Sequence, residues 1–171
     1  MSSSDGSTVI FRRAPAGLRP KSIQDFARQL EREVAKGRAF DCLITGDAEL
    51  RRLNRRFRGR DEATDVLSFP AGKLKHAPPS AKLKHGGACF SLPGIEFEPL
   101  GDIAISLMRA RAQARRFGHS AGNEVRILML HGLLHLMGLD HESDGGRMAR
   151  AEKRWRARLG LPAGLIERVR A

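Results

Sequence analysis

H-G-L-L-H-L-M-G-L-D-H, running from His131 to His141, is the stretch from which the rest of the chain is best read. Two histidines four residues apart stand on one face of a helix, offset by roughly 40° and about 6 Å along its axis. Gly138, three residues past the second histidine, suits the left-handed conformation that ends a helix. The chain can then turn back and deliver His141 to the same point. Three neutral imidazoles with an open fourth position make a catalytic rather than a structural zinc site. The stretch therefore predicts a helix, its glycine exit and one zinc ion held by His131, His135 and His141.

The nearest comparison is the metzincin pattern H-E-x-x-H-x-x-G-x-x-H. The three histidines and the glycine match it, but Gly132 stands where those proteases carry glutamate. That glutamate is their general base. The cage is present without its usual base, which argues for a zinc hydrolase that is not a standard peptidase. Two routes without that base stay open: attack by a water that the metal activates, or, were the substrate an RNA, attack by its own 2′-hydroxyl on a phosphate that the metal polarises, which would leave a cyclic phosphate. Glu124 lies on the same helical face, roughly 10 Å up the axis, and reads as a first-turn carboxylate that favours the helix dipole. Asp140 reads as a residue that shapes the turn, with a carboxylate that hydrogen-bonds and orients His141 the weaker reading.

Outward from this stretch the chain alternates strands and helices. Thr8–Arg12, Phe40–Thr45, Val66–Phe69 (closed by Pro70) and Asp102–Ser106 read as strands. Helices are expected from a Ser22 cap to about Lys36, from an Asp47 cap to near Gly59, after the Asp102–Ser106 strand to about Phe117, from Ser120 through the histidines, and from about Gly146 to Leu159. Val125, Leu128, Met129 and the two histidines fall along one side of the fourth. Met148, Ala151, Trp155 and Leu159 read as core on the fifth. Residues 1–7 read as a disordered start. Residues 71–99, with Pro78-Pro79, Gly86-Gly87 and four lysines, form a long basic loop insertion. His76 and His85 within it have no ligand spacing to the cluster. The order of elements predicts one α+β domain over 8–171, with a sheet of about four strands packed against roughly five helices.

A length of 171 residues suits one domain with a real core. The net charge of +12 points to a polyanionic partner, with nucleic acid the commonest. Aromatic residues make up only 5% of the chain, so contacts with phosphates rather than stacked bases are expected. Cys42 reads as a core residue, and Cys89 cannot be placed. Two distant cysteines form no disulfide framework. With no apolar leader and no spanning run, the expected location is the cytoplasm, away from any membrane.

Several segments together resemble the YbeY family of bacterial rRNA maturation factors. They are L-N-R-R-F-R-G-R-D-E-A-T-D-V-L-S-F-P (Leu53–Pro70), L-G-D-I-A-I-S (Leu100–Ser106), G-H-S-x-x-x-E (Gly118–Glu124) and the histidine stretch. The resemblance covers most of residues 40–160. It implies a small mixed sheet flanked by helices, with the metal at the end of a groove. It also implies a single-strand-specific, zinc-dependent endoribonuclease acting on the 3′ end of 16S rRNA, in ribosome maturation and quality control. His131, His135 and His141 match the family's metal ligands, and His131 counts also as catalytic. Arg58 matches its functional arginine, catalytic and substrate-binding. Partners so implied are single-stranded rRNA, small-subunit ribosomal proteins and a ribosome-assembly GTPase. On residue chemistry alone, Arg58 is equally readable as a phosphate fork or as a surface charge at a helix C-terminus. The chain departs from the family in its longer connection to Leu100 and in a less acidic E-S-D-G-G after His141. Two alternatives carry other chemistries: a non-catalytic zinc-containing rRNA-binding assembly factor, and a zinc peptidase or amidase.

Overall fold

The computed structural model describes residues 6–12, 15–72 and 98–164. His76, His85, Cys89 and nearly all of the expected 71–99 insertion lie outside them. The elements are β1 (Thr8–Phe11), α1 (Pro20–Glu33), β2 (Phe40–Thr45), α2 (Asp47–Arg58), β3 (Val66–Pro70), β4 (Gly101–Ser106), α3 (Leu107–Phe117), α4 (Ala121–Leu136) and α5 (Arg147–Arg158). The expected α+β class, with a four-stranded mixed sheet and five helices, is what forms.

The sheet order is β1-β2-β4-β3, with β1, β2 and β4 parallel and β3 antiparallel on the edge. Side chains alternate across a strand, and the two faces fill differently. Cys42, Ile44, Ile103 and Ile105 join the main core with α1 and α4. Leu43, Leu67, Phe69 and Ala104 pack instead with Leu50 and Leu53 of α2. Burial pushes the Cys42 thiol well above its ordinary pKa, and nearby Asp41 and Asp102 add to the effect; it is a core residue, as expected.

Several expected boundaries move for local reasons. Helix α1 starts at Pro20 rather than at a Ser22 cap, because proline's fixed φ suits the first helical position. The Ser22 hydroxyl instead accepts from Arg126 at 2.5 Å. Gly46, not Asp47, is the N-cap of α2; the Asp47 carboxylate is taken by the Ser106 hydroxyl and faces Arg109 at 3.4 Å. Pro70 ends β3 from within it, which an edge strand tolerates. Ser7 is not part of a disordered start. It is buried, its N–H donates to Glu31 at 2.6 Å, and its hydroxyl accepts from Phe40 N–H at 3.0 Å. Residues 1–5 lie outside the described residues.

Helix α4 departs most from expectation. It is not one-sided: eleven of its residues, from Glu124 to Leu136, are buried. A helix apolar all round is a central helix, and α4 lies between the sheet and its neighbouring helices. Close approach to the sheet occurs at Gly132. A Cβ there would meet Ile103 Cγ2 at 2.9 Å and Ser68 Oγ at 3.1 Å. The Ser68 hydroxyl also donates to the Gly132 carbonyl at 3.0 Å. The position that holds glutamate in metzincins therefore faces packed sheet here, with no room for a side chain of that size.

Candidate metal centre

Helix α4 places His131 and His135 one turn apart. Met137 caps the helix, and Gly138 follows with φ +89°, the left-handed exit expected from the sequence. Its N–H donates to the His135 carbonyl at 3.0 Å, and Leu139 N–H to the Leu134 carbonyl at 3.1 Å. The reversed chain then carries His141 back. The three ring centroids are 4.9, 5.4 and 5.3 Å apart, and one nitrogen from each ring lies within 4.8 Å of the others. Exposure is graded: His131 is buried, His135 intermediate and His141 exposed.

The protonation chemistry fits a transition-metal ion. Loss of hydration, and then electrostatic repulsion between the His135 imidazolium and the neighbouring His131 and His141 rings, lowers the His135 pKa to about 4. That imidazole is therefore neutral at pH 7, with its lone pair free. His131 Nδ1 is 2.8 Å from Glu152 Oε2, inside the protein. A carboxylate partner places the proton on Nδ1 and leaves Nε2 as the donor. This carboxylate–histidine pairing is how metal sites fix a ligand's tautomer and ring orientation. Three imidazoles with one such partner suit zinc better than magnesium or calcium, which prefer oxygen.

Glu152 is the residue that sequence reading missed. It lies 21 positions past His131, on the helix whose Met148, Ala151, Trp155 and Leu159 read as core. One signal was available: Glu152 falls on the same helical side as Met148 and Trp155, which the pattern assigns to the core. Asp140 does not take this role. Its carboxylate accepts from Ser143 Oγ at 2.7 Å and Glu142 N–H at 3.1 Å, and these bonds hold its pKa below the ordinary range. It shapes the turn. Glu124 stands in the first turn of α4, as expected, and its partner is a side chain as well as the helix dipole. It is fully buried and lies 2.5 Å from His119 Nε2.

The histidines share an open pocket of about 380 Å³ with Arg58, Thr64, Asp65, Val66, Ser68, Asp140 and Glu142. Arg58 enters from the last turn of α2. Asn54 holds the following loop by donating to the Glu62 carbonyl at 2.9 Å, and Gln113 holds Asp65 at 2.9 Å. Arg51 and Arg52 are neutralised by Asp61 and Glu49. Arg58, by contrast, makes no hydrogen bond or ion pair among the described residues. Partial desolvation, and then like charge on Arg60, lower its pKa, while Glu142 opposes them. A guanidinium left short of partners beside the imidazoles is ready for an anion.

Glu152→Gln is expected to weaken zinc binding by about 10- to 100-fold, since the amide keeps the shape but not the charge that orients His131. Competition with a chromophoric chelator reads this directly. An unchanged affinity would reduce Glu152 to a packing residue.

A family model described as Endoribonuclease YbeY matches residues 18–160. Among curated relatives, the Endoribonuclease YbeY of Solibacter usitatus is 61% identical over 171 residues, covering 100% of both chains. That of Koribacter versatilis is 41% identical over 161 residues, covering 94% of this chain and 91% of its own. That of Helicobacter pylori is 34% identical over 136 residues, covering 80% and 82%. A solution structure of a Thermotoga maritima protein is similar in fold, with a TM-score of 0.51 at 22% identity over 87% of this chain and 85% of that one.

Proposed function

The chain belongs to the YbeY family, and on that premise we propose that it is a zinc-dependent endoribonuclease that cuts single-stranded regions of ribosomal RNA. The observation that carries this reading is the meeting of three imidazole donors with Arg58 in one pocket. His131, His135 and His141 would hold one zinc ion. When bound, the ion supplies Lewis-acid polarisation of a phosphate oxygen and activation of water. The chain's own residues do the rest. Glu152 orients His131. Arg58 offers a planar fork to two phosphate oxygens and stabilises charge that develops on them.

Gly132 excludes the peptidase base by packing, so the site lacks the group that a standard zinc peptidase uses. The net charge of +12 favours a polyanion over a peptide. The relatives' names identify endoribonucleases; processing of the 16S rRNA 3′ end, ribosome maturation and quality control are the roles proposed for this chain. Small-subunit ribosomal proteins and a ribosome-assembly GTPase are its proposed partners, and the cytoplasm is its proposed location. No helix among the described residues is long and apolar enough to cross a membrane.

Arg58→Ala is expected to slow single-turnover cleavage of a single-stranded rRNA fragment by roughly 10²-fold. Arg58→Lys should recover only part of the loss, because an ammonium keeps the charge but not the bidentate fork. Wild-type rates in both variants would remove Arg58 from the site.

A further inference from the structure

Helix α5 has two opposed faces. Its inner face carries Met148 and Glu152, both buried, and Glu152 reaches the metal centre through His131. At about 100° per residue, Arg147, Arg150, Arg154 and Arg158 fall within an arc of roughly 80° on the opposite side, with Lys153 beside them. All five are exposed. The one acidic residue of the helix is the buried Glu152, so the outer face carries a single sign of charge.

This row is scarcely neutralised. Among the described residues, the one carboxylate ion-paired to it is Glu33, at 3.8 Å from Arg158. Arg150 bonds only the Gly145 carbonyl, and Arg154 and Arg158 lie against the Trp155 ring. Exposed cations elsewhere are paired only in part: Arg51 and Arg52 on α2 have Asp61 and Glu49, and Lys21 on α1 has Asp25, while Arg55 and Arg56 on α2 and Arg115 and Arg116 on α3 are exposed as well. Like charges four apart on a helix repel, and a polyanion relieves that repulsion.

The row also starts in the right place. The turn that lines the pocket through Asp140, His141 and Glu142 leads within a few residues to Arg147. From Arg147 to Arg158 the face extends about 16 Å, long enough to meet several phosphates of one strand.

We infer that the outer face of α5 is a docking track for the RNA phosphate backbone, holding the part of the substrate that extends beyond the pocket. This rests on the nuclease reading for what occupies the pocket, but the contact itself is electrostatic and independent of base sequence.

The test compares two charge-matched double variants, Arg147→Gln/Arg154→Gln on α5 and Arg115→Gln/Arg116→Gln on α3, where both arginines are exposed. Binding of single-stranded oligouridylate is measured across salt, with chelator present so that it is not cut. Loss of two phosphate contacts should flatten the plot of log affinity against log salt by about 1.4 for the α5 variant. The α3 variant should stay close to wild type. Equal flattening in both, or none in either, would overturn the track. A separate arm, cleavage by the wild type with zinc, tests the nuclease reading alone. An α5-dependent slope without cleavage would keep the track and remove the nuclease.

Discussion

His135→Ala is expected to abolish RNA cleavage while leaving the protein folded. Loss of one of three ligands should lower the rate by roughly 10³-fold, equivalent to about 4 kcal/mol of transition-state stabilisation. Its effect on the fold should be small for a stated reason. His135 is only partly buried, whereas core residues around it such as Leu128, Leu133 and Leu134 are fully buried. Truncating an imidazole at the edge of such a core costs about 1 kcal/mol or less. Cleavage and thermal melting, measured on the same preparation, separate a catalytic metal from a structural one. A variant that unfolds, from a wild type that never cut RNA, would support the assembly-factor alternative.

Gly132→Glu is expected to destroy the fold rather than restore a peptidase. The new carboxylate would enter where a Cβ alone already meets Ile103 at 2.9 Å. Ile103 is fully buried, so it has nowhere to move. Burying an unpaired carboxylate and overpacking together cost more than about 4 kcal/mol, a large share of the roughly 5–15 kcal/mol that holds a domain together. Gly132→Ala is the milder case. Its overpacking cost of about 1–3 kcal/mol outweighs a helix-propensity gain of about 1, so a modest loss of stability is expected. Urea denaturation reads both. A folded Gly132→Glu protein with peptidase activity would contradict the packing argument and reopen the peptidase reading.

Gly132 shows how far the sequence can be read at the site. From spacing alone it is a missing base. Its cause is tertiary, because it depends on Ser68 and Ile103, which lie far away in the chain. The features that were legible are local ones. His131 and His135 share a face because they are four apart, and Gly138 adopts the left-handed exit that its position suggests. The four strands and five helices follow from short-range pattern and punctuation, with boundaries shifted where Pro20 and Gly46 take positions assigned to Ser22 and Asp47. Glu152 and Glu124 were harder. Nothing in the run around either acid states that it is buried, and its partner, His131 or His119, is fixed only when the helices pack. Helix α4 buries more than the one side marked by Val125, Leu128 and Met129, since Leu130, Leu133, Leu134 and Leu136 are buried as well.

The central claim is that the three histidines hold a metal ion that RNA cleavage requires. Its most direct test is the rate at which a single-stranded rRNA fragment is cut by the protein as purified, after chelation, and after zinc is restored. The expected result is loss of cleavage on chelation and its return with about one zinc per chain. Equal rates in all three states would contradict the claim.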